Sequence, residues 1–270
     1  MKIWKENGTL SISSEDLDLL RGAKQVLENP GLAAKLTNVL GAPVEKGMEL
    51  LPKKWSGVVS NATRKALESG LNIAVESLEN RVGRQSDDLL HTIVVVATGA
   101  GGGAFGLPAL AIELPISTTI MLRSIADIAQ SQGEDLREMT SRLACLEVFA
   151  LGGRSPRDDA SETGYFAVRA ALAKAVSEAA EYLAERGLAK EGAPPLMRLI
   201  ILIAERFGVQ VSEKVATQAI PVVGAAGGAL INFVFIDHFQ SMARGHFTVR
   251  RLERKYGADT VKEEYERIRV

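Results

Sequence analysis

Several charged and polar residues interrupt strongly apolar stretches of this sequence, and these residues could carry its chemistry. They are Glu113, Arg123, Asp127, Glu147, Glu205, Asn232 and Asp237, with His238 next to the last. A buried charge needs a partner, so we expect several of these groups to meet across helices. Arg123 and Asp127 are four residues apart, which allows an ion pair on one helix face. The main interpretation is a polar network that fixes the register of packed helices. The alternative is a pocket for a head group or a metal ion.

Metal binding would need ligands that are close together. The histidines are His91, His238 and His246, and Asp87 shares a helix face with the first. His238 and His246 are eight residues apart, roughly 12 Å along a helix, so one ion cannot bind both. The sequence contains no HExxH, CxxC or DxDxDG string. We therefore predict a surface or capping role for each histidine, with no metal and no other cofactor.

Neither a nucleophile nor a phosphate-binding loop is evident. Cys145 lies in RLACLEVFALGG, which predicts a small buried side chain with a raised thiol pKa. The stretch GAGGGAF at 99–105 lacks the GKS or GKT of a phosphate loop, and no βαβ pattern surrounds it. We expect a non-catalytic protein. A hydrolase or metal-dependent enzyme that uses the acids with His238 stays the alternative.

Composition narrows the class of partner and the compartment. The 32 basic residues are balanced by 33 acidic residues, so no overall charge favours nucleic acid. The single cysteine excludes an internal disulfide, and no apolar run follows the N-terminal lysines. These features predict a cytoplasmic location.

A glycine-rich septet occurs twice, as GAGGGAF from Gly99 and GAAGGAL from Gly224, with five of seven positions identical. Internal duplication and convergence on one packing solution both explain the repeat. Glycines four residues apart form a groove in which a second helix can pack closely. Because glycine costs about 1 kcal/mol in a helix interior, we expect a close-packed break between apolar helices. The helix-packing candidates are Gly99, Gly102, Gly103, Gly106, Gly224, Gly227 and Gly228.

Each septet lies in a run without formal charges, over 89–112 and 215–236. Either run is long enough to span a bilayer, which needs about 20 apolar residues. The glycines would expose backbone to lipid unless other protein covered them. Buried core helices, helices that enter a membrane reversibly and permanently inserted hairpins are the three alternatives.

Helical periodicity dominates the rest of the chain, and we predict an all-α protein with a single helical domain at 55–270. An irregular helical N-terminal arm at 1–54 precedes it, with breaks at Gly41, Pro43 and Pro52. The further predicted helices cover 115–131, 134–151, 162–187, 195–219 and 232–256. In the third of these, the apolar stripe is predicted to be Phe166, Ala170, Ala173, Val176, Ala180 and Leu183.

The last long helix carries a cluster of cations next to an apolar face of Phe239, Ala243 and Phe247. Such a helix can rest on an anionic membrane, where each cation contributes about 1 kcal/mol. A simple solvated face is the alternative. The membrane-surface candidates are Arg244, Arg250, Arg251, Arg254 and Lys255.

Three stretches resemble the bacterial EcsC family, which is named for a protein encoded beside an ABC transporter. They are FGLPALAIELPISTTIMLRSIADIAQSQGEDL at 105–136, LEVFALGG at 146–153 and AIPVVGAAGGALINFVFIDHFQSMARGHFTVRRLERKYG at 219–257. The resemblance extends over roughly residues 55–260 and implies a helical bacterial protein without assigned catalytic residues. Together with the glycine-rich helical core and the basic last helix, this leads us to expect peripheral association with the inner membrane, or with a membrane protein such as a transporter. The balanced charge predicts no nucleic acid. An oligomer is compatible with the sequence.

Overall fold

A computed structural model describes residues 5–6, 9–10, 12–28, 31–76, 78, 107–152, 164–187, 193–220 and 224–269. The first glycine septet, Asp87 and His91 lie outside these residues. The predictions made for Gly99, Gly102, Gly103 and Gly106 therefore stay predictions.

Nearly all of the described chain is helical, which confirms the all-α, single-domain prediction. Two short antiparallel strands, β1 (Lys5–Glu6) and β2 (Thr9–Leu10), come before the first helix. The helices are α1 (Ser14–Glu28), α2 (Leu32–Leu40), α3 (Val44–Leu50), α4 (Trp55–Glu76), α5 (Leu107–Ser131), α6 (Met139–Glu147), a 3-10 turn (Val148–Ala150), α7 (Tyr165–Arg186), α8 (Pro194–Gln218), α9 (Gly224–Tyr256) and α10 (Ala258–Arg267).

The helix ends follow local sequence signals. The hydroxyl of Ser13 accepts the backbone N–H of Asp16 at 3.3 Å and so caps α1. Gly41 ends α2, and Gly257 separates α9 from α10. Their φ angles of +66° and +92° are ones that side chains rarely allow. Both glycine breaks were predicted correctly.

The long helices α5 and α9 lie side by side and run in the same direction. Near their middles, the Gln240 amide donates to the Ser124 hydroxyl at 2.9 Å. Further along both helices, Arg250 binds Glu134 just beyond the end of α5. The residue numbers increase together, so the N-termini of α5 and α9 lie at one end of the molecule.

Helix α4 runs in the same direction as α5. A methyl group added to Gly70 would lie 3.8 Å from the Leu122 side chain in the middle of α5. Close to the end of α4, the Val75 carbonyl accepts Arg142 Nη1 at 2.6 Å, and the same guanidinium donates to the Arg137 carbonyl beyond α5. The N-terminus of α4 therefore lies at the same end as those of α5 and α9.

Helix α8 and the N-terminal arm run in the opposite direction. The C-terminal turns of α8 reach the start of α5, where Lys214 contacts Glu113. The arm follows α9 from its C-terminal end and finishes against the end of α8. The successive contacts are Asp16 with Lys255, Leu27 with Gly245, Lys35 with Asp237 and Gly47 with Ala216. The arm thus packs on the helical body, while the predicted boundary at residue 54 stays a prediction.

Three details of the predicted helices are wrong. Helix α9 begins at Gly224, so the second septet forms its first two turns and the break comes earlier, after Gln218. Helix α5 begins at Leu107 and continues through Pro115. Both helices are long enough for tertiary packing to offset the local cost of glycine and proline.

The third error concerns part of the predicted stripe of α7. Ala180 and Leu183 are buried and Phe166 and Val176 pack against the core, as predicted. The buried residues of α7 are Tyr165, Val168, Leu172, Ala175, Ala179, Ala180 and Leu183, whereas Ala170 and Ala173 are exposed. Alanines occur on every face of this helix, so they give little information about which face is buried.

No helix in the described part of the chain has the length and apolarity needed to cross a membrane. The apolar run at 215–236 is divided between the end of α8 and the start of α9.

Candidate functional site

The polar residues singled out in the sequence are distributed between the core and the surface. Arg123 is half-buried, and the side chain of Asp237 is 44% exposed. Those buried in the core are Glu113, Asp127, Glu147, Asn232 and His238. The core therefore contains several acids whose contacts decide what they can do.

Glu113 forms an ion pair with Lys214, which is completely buried, at 2.5 Å from Oε1 to Nζ. The ammonium also lies 4.9 Å from the centre of the Phe235 ring, within cation–π range. Glu113 lies in the second turn of α5 and Lys214 in the second-to-last turn of α8, so the ion pair joins the start of one helix to the end of the other. No sequence signal singles out Lys214, because VSEKVATQ at 211–218 resembles an ordinary solvated helix end.

Glu134 joins the α5–α6 turn to the C-terminal half of α9. It accepts two hydrogen bonds from Arg250 at 2.9 Å, one from Ser141 at 2.8 Å and a further one from Arg254. Burial by itself would raise the pKa of Glu134, but Arg250 and Ser141 outweigh burial and hold this pKa below its usual value. Glu134 is therefore a structural anion that fixes α9.

Several cations of the predicted basic face of α9 form ion pairs with acids of other elements. Arg250 and Arg254 bind Glu134, and Lys255 binds Asp16 of α1 at 2.6 Å. Arg244 lies 4.0 Å from Asp237, and Arg251 is half-buried. Arg250, Arg254 and Lys255 therefore join helices through ion pairs. The side chains of Arg244, Arg254 and Lys255 stay 51%, 42% and 54% exposed, so their role at a membrane surface stays a prediction.

A second polar contact joins α6, α7 and α9 in the core. The Tyr165 hydroxyl lies 2.9 Å from His246 Nδ1, and His246 Nε2 lies 3.9 Å from the Glu147 carboxyl group. Burial raises the pKa of Glu147 and lowers the pKa of His246 well below its ordinary value. Burial therefore favours the neutral form of both groups. The surface or capping role predicted for His246 is wrong, because this histidine is fully buried.

His238 is held in the core by Gln210. The Gln210 amide nitrogen donates to the Leu151 carbonyl at 2.7 Å and lies 3.2 Å from His238 Nε2, so this imidazole nitrogen is the acceptor. Gly152 has a φ of +71°, and a methyl group there would come within 2.9 Å of the imidazole. Burial lowers the pKa of His238 to about 3. His238 is therefore neutral near pH 7.

Asp237 and His238 are neighbours in sequence but point to different environments. Asp237 is on the surface, 3.6 Å from Lys35, whereas His238 is fully buried. The acid–histidine site of the alternative enzyme interpretation is not formed by this pair. Within the described ranges, no group of three or more histidine, cysteine, aspartate or glutamate residues could hold a metal ion.

Exposed large hydrophobic side chains are concentrated at the end where α4, α5 and α9 begin. Ile112 and Ile116 are 70% and 46% exposed, and Leu230 and Phe233 are 40% and 49% exposed. Gly47 packs on Ala216 at the end of α8, which brings α3 to the same end. We call this region the apolar end. Its residues are Met48, Leu50, Val58, Ile112, Ile116, Leu230 and Phe233.

These features define a helical protein with internal ion pairs and one exposed apolar end. The model of the EcsC protein family matches residues 10–252, so the chain belongs to this family and the predicted resemblance is confirmed. The match includes most of the N-terminal arm and is wider than the predicted 55–260. Searches of curated proteins and of solved structures found no match.

Proposed function

We propose that the protein is non-catalytic and associates peripherally with the cytoplasmic face of a membrane through its apolar end. The observation that carries this proposal is the position of the exposed hydrophobic side chains. Most of those in the described chain belong to three helix starts and to α3, all at one end of the molecule. Exposed apolar clusters on soluble surfaces are typical of sites that contact protein or membrane.

The side chains of the apolar end are the right size for shallow insertion. Phe233 and Ile116 are each about half exposed, so transfer into the lipid interface would gain on the order of 1 kcal/mol for each. Several such contributions together give reversible binding without a membrane-spanning helix.

The proposed surface differs from the one predicted from the sequence. The cations of α9 were expected to face the membrane, but Arg250, Arg254 and Lys255 bind internal acids. The second glycine septet still contributes, because Leu230 is its last residue and Phe233 follows one turn later. The separation of Asp237 from His238 gives the enzyme alternative no support.

Flotation with lipid vesicles tests the proposal. The double substitution Ile116→Ser with Phe233→Ser should weaken partitioning by roughly tenfold or more, because about 2 kcal/mol of apolar burial is lost. A matched control replaces Leu19 and Ile201 by serine, since these side chains are 45% and 48% exposed but belong to other parts of the fold. The control variant should bind like the wild type.

Two results would overturn lipid association. One is a wild-type protein that stays in solution with every vesicle composition. The other is a control variant that loses as much binding as the test variant. Protease-sensitive binding to native membrane vesicles, without binding to pure lipid, would instead identify a membrane protein as the partner.

A further inference from the structure

The corner between α3 and α4, residues 48–55, presents apolar side chains, the acid Glu49 and two lysines on a fixed backbone. The Leu51 N–H donates to the Met48 carbonyl at 3.3 Å, and the Trp55 N–H donates to the Pro52 carbonyl at 2.9 Å. Leu51 and Trp55 are half-buried and pack against the hydrophobic core. The corner is therefore an ordered part of the surface.

Three other side chains of the corner are exposed to solvent. Leu50 is 55% exposed, and Lys53 and Lys54 are also exposed. Gly47, just before the corner, packs on the backbone of Ala216 at the end of α8. This close contact fixes the corner at the apolar end.

The corner also contains the exposed acid Glu49, so Lys53 and Lys54 leave it with a formal net charge of +1. Lys53 and Lys54 form no ion pair with any acid in the part of the chain that the structure describes. This distinguishes them from Arg250, Arg254 and Lys255, which bind internal acids. Two adjacent cations beside an exposed leucine are complementary to a surface in which negative charges lie above an apolar layer.

We propose that the 48–55 corner recognises anionic phospholipid head groups, with Lys53 and Lys54 at the phosphates and Leu50 in the upper acyl region. Lysine side chains suit this position because their long apolar stems can lie along lipid while the ammonium stays at the head groups. The inference rests on the proposed membrane association and adds the lipid class and the residues that select it.

Partitioning onto phosphatidylcholine vesicles with and without phosphatidylglycerol tests this inference. The variant Lys53→Gln with Lys54→Gln should bind the anionic vesicles about thirtyfold more weakly, since each cation near the head groups contributes about 1 kcal/mol. Its binding to pure phosphatidylcholine should be unchanged. High salt should reduce the wild-type preference for anionic vesicles in the same way.

A matched control is Lys174→Gln with Lys262→Gln, which removes two exposed lysines of α7 and α10. This control should keep the wild-type preference for anionic lipid. Trp55 provides a local readout, because its emission should shift to the blue on anionic vesicles in a Trp4→Phe background.

The outcomes separate the two proposals. Equal wild-type binding to both vesicles would overturn lipid selection and leave membrane association standing, whereas no binding to either would overturn both. A double variant with full anionic preference, or a control that loses as much, would overturn the role of Lys53 and Lys54. Lysine-dependent binding only to membranes that contain protein would point to an acidic protein segment and would also reject the lipid assignment.

Discussion

Replacing Gly47 by alanine should destabilise the protein, although the same change in an uncrowded helix is favourable. The new Cβ would lie 1.9 Å from the Ala216 carbonyl oxygen, far inside the 3.4 Å at which ordinary van der Waals contact begins. Because the obstacle is backbone, α3 has to move away from α8. Overpacking of this kind costs about 3 kcal/mol or more, and the better helix propensity of alanine returns about 1 kcal/mol. We expect a net loss of about 2 kcal/mol.

Thermal unfolding followed by circular dichroism measures this effect. A net loss of about 2 kcal/mol corresponds to a Tm lower by about 4 to 8 °C for a domain of this size. Gly22→Ala is the matched control, because Gly22 lies within α1 and a methyl group there meets nothing within 4 Å. This control should raise the Tm by about 2 to 4 °C.

Local detachment of α3 is the one way in which the Tm could stay constant. In that event the amide protons of Val44–Leu50 would exchange with solvent much faster than in the wild type. A Gly47→Ala variant with both wild-type exchange in α3 and a wild-type or higher Tm would refute the close contact with Ala216.

Two further predictions concern buried polar groups. Lys214→Met should lower the free energy of unfolding in urea by about 3 to 5 kcal/mol, because it leaves Glu113 buried without its cation. Adding Glu113→Gln should recover much of that loss. Purely additive losses in the two single variants and the double variant would show that the two groups do not interact. The pKa of His238 is about 3 in the folded protein and near 6.5 in the unfolded chain. The unfolded chain therefore takes up a proton first as the pH falls. The stability that the neutral side chain contributes above pH 6.5 is lost as the pH falls toward 3. At pH 5 this loss is about 2 kcal/mol, and urea midpoints of a His238→Gln variant should depend less on pH between 8 and 5 than those of the wild type. An identical pH dependence in both proteins would contradict the low pKa assigned to His238. The pH dependence that His246 contributes should remain in both proteins.

Much of the helical architecture could be predicted because caps and breaks are local signals. Ser13, Gly41 and Gly257 mark helix ends through their own hydrogen bonds or φ angles. The start of α9 was predicted wrongly because the prediction weighed only the low helix propensity of the glycines. Packing along the 33-residue helix outweighs that propensity. The stripe of α7 was predicted wrongly only at Ala170 and Ala173, because alanine has too little apolar surface to mark a face.

The polar contacts were harder to predict because they depend on which helices become neighbours. Arg123 and Asp127 could be paired from their spacing on one helix. Spacing gives no information on Lys214 and Glu113, which are 101 residues apart in the sequence and lie on different helices. The principle that glycine permits close helix contact was sound. In the described structure it applies most clearly to Gly47 and Gly245, which stand alone in the sequence.

The parallel arrangement of α5 and α9 has a consequence for synthesis of the chain. Arg254 of α9 is 120 residues downstream of its partner Glu134. The end of α9 therefore leaves the ribosome long after α5. At roughly 5 to 20 residues per second, the surface of α5 that α9 covers waits about 6 to 24 s for its partner. Nascent chains of this protein should therefore need a chaperone during that interval, and they should aggregate if translation stops before α9 is complete.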